Sequence, residues 1–182
     1  MGKMLDCLRE AIKEIYIPAD QKYMRENIVV GKTPKEMSCE VFPFRGQDYL
    51  LCQFDKQGLN NQNFPYFNAA VDGLVCMCDY ILFVEEDERL LVLLVELKHM
   101  DSPQKQVTIN QSFAQFICTR LNTVFDGFDK PFIYRKIGVK ESYNPLHGTM
   151  SHVFEFDENG YALPPNPQKM MLKMISRAID NS

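Results

Sequence analysis

Three charged residues, Asp79, Glu96 and Lys98, lie inside the two most apolar runs of the chain, residues 76–84 (CMCDYILFV) and 90–98 (LLVLLVELK). Two carboxylates brought together on one sheet face repel each other unless something cationic lies between them. Lys98 supplies part of that charge, but a hard divalent cation fits better. Mg²⁺ is typically held by one or two carboxylates together with waters and substrate phosphates, and Mn²⁺ takes similar ligands. Such an ion polarises a phosphoryl oxygen and lowers the pKa of a bound water. A lysine beside it can orient or deprotonate the attacking water and neutralise developing charge. The chemistry these residues imply is metal-assisted hydrolysis at a phosphate.

Whether the three share a face depends on the elements that carry them. The polar cluster 85–89 (EEDER) between the two runs is the signature of a β-hairpin. Side chains alternate along a strand, so Glu96 and Lys98 point one way and Leu97 the other. A two-residue turn at Asp87-Glu88 sets Asp79 opposite Glu96. A four-residue loop over 85–88 sets Asp79 opposite Leu94, with Glu96 diagonal on the same face. A three-residue loop sends the carboxylates to opposite faces and removes the site. With an even loop the carboxylates lie within about 5 to 8 Å of each other. An E-x-K triplet also arises by chance, and a strand-end Glu and Lys commonly form a solvated pair worth under about 1 kcal/mol. The context argues for more, because Glu96 ends an uninterrupted apolar strand and Asp79 interrupts a second one.

The remaining elements read as scaffold. Apolar residues at 4, 5, 8, 11, 12 and 15 give a helical stripe over 4–16, ended by Pro18. Residues 17–37 are polar and mixed, with at most a short helical turn at Thr33-Pro34. Strands at 38–44 and 49–54, joined through Gly46, are expected to form a first hairpin. The loop 55–68 interleaves Phe64, Tyr66 and Phe67 with amides. Such aromatics can stack bases, and they also commonly pin a long loop to the core. After the central hairpin, apolar residues at 109, 113, 116, 117, 121 and 124 predict an amphipathic helix from Pro103 to about Phe125, stopped by Gly127. A strand follows at 132–139, then a loop around Tyr143-Asn144-Pro145 and a short strand at 153–156. Asn166 and Pro167 are expected to cap a helix over 168–179 with Met171, Met174, Ile175 and Ala178 inward.

Composition sets the bounds. The 182 residues, 46% hydrophobic and 24% charged, suit one globular domain over 1–182. No apolar run is long enough to span a bilayer, and residues 1–16 carry charges where a secretory leader needs an apolar region. The expectation is a soluble, cytoplasmic protein without membrane attachment. The six cysteines lie in apolar surroundings without a C-x-x-C pair, and read as buried reduced thiols. A net charge of −4 excludes the strongly basic footprint of a general nucleic-acid binder, although Lys105, Arg120, Arg135 and Lys136 leave room for a local basic surface. No glycine-rich phosphate loop or G-x-S-x-G element is present. His99, His147 and His152 are scattered, and His99 is expected on the face opposite Lys98.

With Asp79 on one strand and Glu96-Leu97-Lys98 on the next, the chain resembles the PD-(D/E)XK nuclease superfamily over roughly residues 4–139. The resemblance implies an α/β fold with a restriction-endonuclease-like core, a central mixed β-sheet flanked by helices in the order α-β-β-β-α-β. By the same resemblance Asp79, Glu96 and the Leu97 carbonyl would ligate Mg²⁺ or Mn²⁺, and Lys98 would be the catalytic lysine. A glutamate of the first helix, Glu10 or Glu14, and Gln111 on the following helix would join them. The implied activity is phosphodiester hydrolysis in nucleic acid, DNA in the first place, by a protein that in many relatives works as a homodimer. Cys78 stands where the motif has proline, and Gln115 stands four residues after Gln111 where the exonuclease-type motif has tyrosine. The alternative function is a non-catalytic module of this fold that binds nucleic acid or a protein partner.

Overall fold

The computed structural model describes residues 3–30, 32–44, 46–55, 70, 75–98, 104–126, 128, 130–140, 154–164 and 168–181. Within these, the chain forms helix α1 (Lys3–Ala11), a 3-10 turn (Glu14–Tyr16), strands β1 (Tyr23–Val30), β2 (Thr33–Phe42), β3 (Asp48–Cys52), β4 (Tyr80–Glu85) and β5 (Leu90–Lys98), helix α2 (Gln104–Val124), strands β6 (Phe132–Lys140), β7 (Tyr161–Ala162) and β8 (Lys169–Met171), and helix α3 (Leu172–Asp180). Five strands make a mixed sheet in the order β3-β4-β5-β6-β7, and three make a second sheet in the order β1-β2-β8. In the larger sheet the pairs β3–β4 and β4–β5 are antiparallel, while β6 runs parallel to β5 and β7 parallel to β6.

β5 organises the larger sheet because both its faces are apolar, as a strand covered on both sides requires. Leu91, Leu93, Val95 and Leu97 join Tyr80, Leu82 and Val84 of β4 in a core shared with the second sheet and α3. Leu90, Val92 and Leu94 join Ile81 and Phe83 in a core shared with α1 and α2. The helices present complementary stripes. α1 contributes Met4, Leu5 and Leu8, and α2 contributes Val107, Ala114, Cys118 and Leu121. The N-terminus of α1 is tied down by Glu85, whose Oε2 accepts a hydrogen bond from the Leu5 N–H at 3.0 Å, a placement that also suits the positive end of the helix dipole.

Several sequence expectations change. The first helix is shorter than 4–16, ending at Ala11 and giving way to the 3-10 turn. Thr33-Pro34 belongs to a strand, not a helical turn, and residues within the stretch 17–37 form β1. The expected hairpin between 38–44 and 49–54 does not form, since β2 pairs with β1 and β8 while β3 pairs with β4. A turn does close at 44–47, with Gln47 N–H donating to Phe44 O at 2.8 Å and Gly46 at φ 79°, but the strands on either side enter different sheets. Two features account for this. Met37, Cys39 and Val41 bury against the larger sheet, and the other edge of β3 is occupied by the Gln21 amide. Its Oε1 accepts from Leu51 N–H at 2.8 Å, and its Nε2 donates to Leu51 O at 3.1 Å. A side chain thus fills the place of a pairing strand.

At the C-terminal end, β8 takes residues expected to be helical and α3 begins only at Leu172, so Met171 is exposed, not inward. Asn166, Pro167 and Val153 lie outside the described residues. Phe154 and Phe156 pack into the core without forming a strand. On α2 the inward stripe is offset from the one expected, leaving Ile109, Phe116 and Val124 exposed. None of the six cysteines is in a disulfide, but Cys76 is exposed and Cys7 half-buried, not buried as expected. Among the described residues no helix is long and apolar enough to cross a membrane.

Candidate functional site

The turn of the central hairpin is the two-residue one. Glu85 pairs with Leu90, and Glu86 N–H donates to Arg89 O at 2.9 Å around Asp87-Glu88. Counting from Tyr80 opposite Val95, this register sets Asp79 across from Glu96. The two residues then bond across the strands. Asp79 N–H donates to Glu96 Oε2 at 3.2 Å, and Leu97 N–H donates to Asp79 Oδ2 at 2.6 Å. Lys98 Nζ stands 2.7 Å from Glu96 Oε1. Lys98 is half-buried, whereas Asp79 is 3% and Glu96 0% exposed.

Two neighbours hold this end of β4 in place. Asn110 of α2 donates to Cys76 O at 3.1 Å, and Gln106, one turn earlier, donates to Met77 O. On the opposite face of the sheet, the Tyr80 hydroxyl accepts from Arg25 N–H at 2.9 Å and donates to Arg25 O at 2.8 Å. That pair of bonds seats β1 beside the residue that follows Asp79.

Burial dominates the electrostatics. It pushes the Asp79 carboxyl well above the ordinary carboxylate range, with the charge of Glu96 adding to the rise and the Leu97 N–H opposing it. Burial likewise raises Glu96, against the lowering effect of Lys98. For Lys98, burial favours the neutral amine, but the bond to Glu96 and the surrounding carboxylates outweigh it, and its pKa rises. The pair therefore shares a strained negative charge beside a firmly protonated ammonium. Glu96 Oε1 has no aligned hydrogen-bond donor despite its ion pair, which leaves a lone-pair direction for a cation. Among the described residues no group of three His, Cys, Asp or Glu side chains is placed to hold a metal, and the two carboxylates of Asp79 and Glu96 are what these residues would offer one here.

Two further acidic residues feel this site and were not evident in the sequence. Glu26 on β1 is raised by burial and by the charge of Asp55, and lowered by Lys98. Asp55, just beyond β3, also raises Glu96. Their signal is faint, since Glu26 shares a face with Met24 in a strand too polar to stand out, and Asp55 sits at an ordinary strand end.

Other expected residues are not brought in. Glu10 and Glu14 are exposed and bond to none of Asp79, Glu96 and Lys98. The first helix docks its N-terminus on Glu85, at the far end of β4, and ends before Glu14. Gln111 is half-buried on α2 and makes no hydrogen bond to the three. Gln106 and Asn110 set the side of α2 that faces residues 76–79, and the next position is turned about 100° away from it. His99, Gly127 and the aromatics Phe64, Tyr66 and Phe67 lie outside the described residues. The chain matches no family model, no curated protein and no solved structure.

Proposed function

We propose that the chain is a Mg²⁺- or Mn²⁺-dependent nuclease of the PD-(D/E)XK type that hydrolyses phosphodiester bonds in DNA. The observation that carries this reading is the buried Asp79–Glu96 pair with Lys98 on Glu96. Two buried carboxylates this close cost stability in the absence of a compensating cation, and their cost is understandable if they are kept for one. The element order supports the same reading. Helix α1, the antiparallel strands β3, β4 and β5, helix α2 and the parallel strand β6 follow the α-β-β-β-α-β order, with β1 and β2 inserted after the first helix.

Asp79 and Glu96, with the Leu97 carbonyl, would hold the ion. Bound there, it would polarise the phosphoryl oxygen and acidify a water. Lys98, charged at neutral pH, orients that water and stabilises the charge that builds on the phosphate, while base action by its amine is disfavoured by its raised pKa. The backbone bonds between the two strands fix both carboxylates, so little reorganisation is needed as charge develops.

The test is incubation of the purified chain with plasmid and labelled DNA and RNA oligonucleotides in Mg²⁺, Mn²⁺ or EDTA, beside Glu96→Gln. Metal-dependent cleavage lowered by more than about 100-fold in the variant is the expected result. A wild-type chain that cleaves nothing, or a variant that cleaves as well as wild type, would sink the enzyme and leave the non-catalytic binding module.

A further inference from the structure

A second lysine stands in register with Lys98. β6 runs parallel to β5, pairing Lys98 with Lys140 and Glu96 with Gly138. Ile137 and Val139 bury in the core on the second-sheet side, so alternation turns Gly138 and Lys140 to the other face, the one that carries Glu96 and Lys98. Neighbouring strands lie about 4.8 Å apart, which brings the two lysine stems side by side at the edge of the candidate site. Their circumstances differ. Lys98 is bound to Glu96 at 2.7 Å, whereas Lys140 is half-buried and makes no ion pair or hydrogen bond with another described residue. The position next to Glu96 on β6 is Gly138, which itself puts no side chain between that carboxylate and Lys140. Two ammonium groups carried by paired positions of adjacent strands repel, and an anion seated between them relieves the repulsion.

We propose that Lys140 is a substrate-positioning residue that binds a backbone phosphate of nucleic acid beside the scissile one. The proposal rests on the nuclease reading for the identity of its ligand, and adds a contact from β6 that the Asp79–Glu96–Lys98 constellation does not contain. Lys98 is then free to act on the reacting phosphate while Lys140 holds its neighbour, and the substrate backbone crosses the ends of β5 and β6.

Binding and turnover are separated by working in the Asp79→Asn background. Fluorescence anisotropy with labelled single- and double-stranded DNA is measured across salt concentrations for Asp79→Asn alone and with Lys140→Ala or Lys140→Arg. Steady-state cleavage by the wild-type chain and the single Lys140 variants is followed in Mg²⁺. The expected result is about tenfold weaker binding with Lys140→Ala, a salt dependence shallower by about one phosphate contact, and near-normal binding with Lys140→Arg. In turnover the loss falls on KM more than on kcat. Unchanged affinity and KM with Lys140→Ala overturn the proposal, and cleavage by the wild-type chain would show that the nuclease reading survives it. A Lys140 effect on binding without any wild-type cleavage supports Lys140 and removes the nuclease. No binding and no cleavage by any form overturns both.

Discussion

Asp79 and Glu96 are each tied to the other's strand: the Asp79 N–H donates to the Glu96 carboxylate, and the Asp79 carboxylate accepts from the N–H of Leu97, the residue after Glu96. Backbone donors thus hold two buried acids in place without neutralising them. Lys98 balances one of the two charges, which leaves the site with an electrostatic demand that can be measured.

The first measurement is stability against pH in EDTA. Burial raises Asp79 to about 8 and Glu96 to about 7, whereas in the unfolded chain both titrate near about 4. The folded state then binds more protons than the unfolded state between these limits. The contribution of the pair to stability is full below about pH 4 and is lost as pH rises through 7 to 8. The unfolding free energy from urea titration should fall from pH 5 to pH 8.5, by on the order of a few kcal/mol. Asp79→Asn keeps an acceptor for the Leu97 N–H and removes one charge, so it should flatten this fall and be more stable than wild type at pH 8.5. Equal midpoints at both pH values, in the wild-type chain, would count against a strained pair.

Divalent metal should reverse the trend. An ion bound by Asp79 and Glu96 needs both deprotonated, so Mg²⁺ or Mn²⁺ should raise the melting temperature more at pH 8 than at pH 5.5 and release protons on binding. Calorimetry in two buffers of different ionisation enthalpy reads the proton count directly. Binding that is indifferent to pH, or that persists in Glu96→Gln, would place the metal elsewhere.

Tyr80 provides the third test, because its hydroxyl both accepts from and donates to the backbone of Arg25. Tyr80→Phe leaves that N–H and C=O without their partner and should cost about 1–3 kcal/mol. The amide of Arg25 should exchange with solvent markedly faster, while amides of β5 stay protected. Unaltered exchange at Arg25 would mean that the tyrosine does not hold β1 against the sheet.

What could be read from residues alone was local. The alternation in 90–98, the apolar character of 76–84 and the turn at 85–89 are short-range patterns, and they determined the central hairpin, its face of charge and the dependence of the site on an even turn. Periodicity also located the helices around Leu8 and Cys118, but it set the first too long and the inward stripe of the second out of phase. Pairings between distant segments were decided only in three dimensions. Nothing near 38–44 or 49–54 says that Gln21 will cover the edge of β3 and send β2 to another sheet, because that choice compares two non-local partners. Glu26 and Asp55 reach the site through such pairings, and so does Lys140, whose position beside Lys98 is a register between strands separated by a whole helix. Alternation tells which way a side chain points, but only packing of the assembled sheet decides which other side chains it meets there.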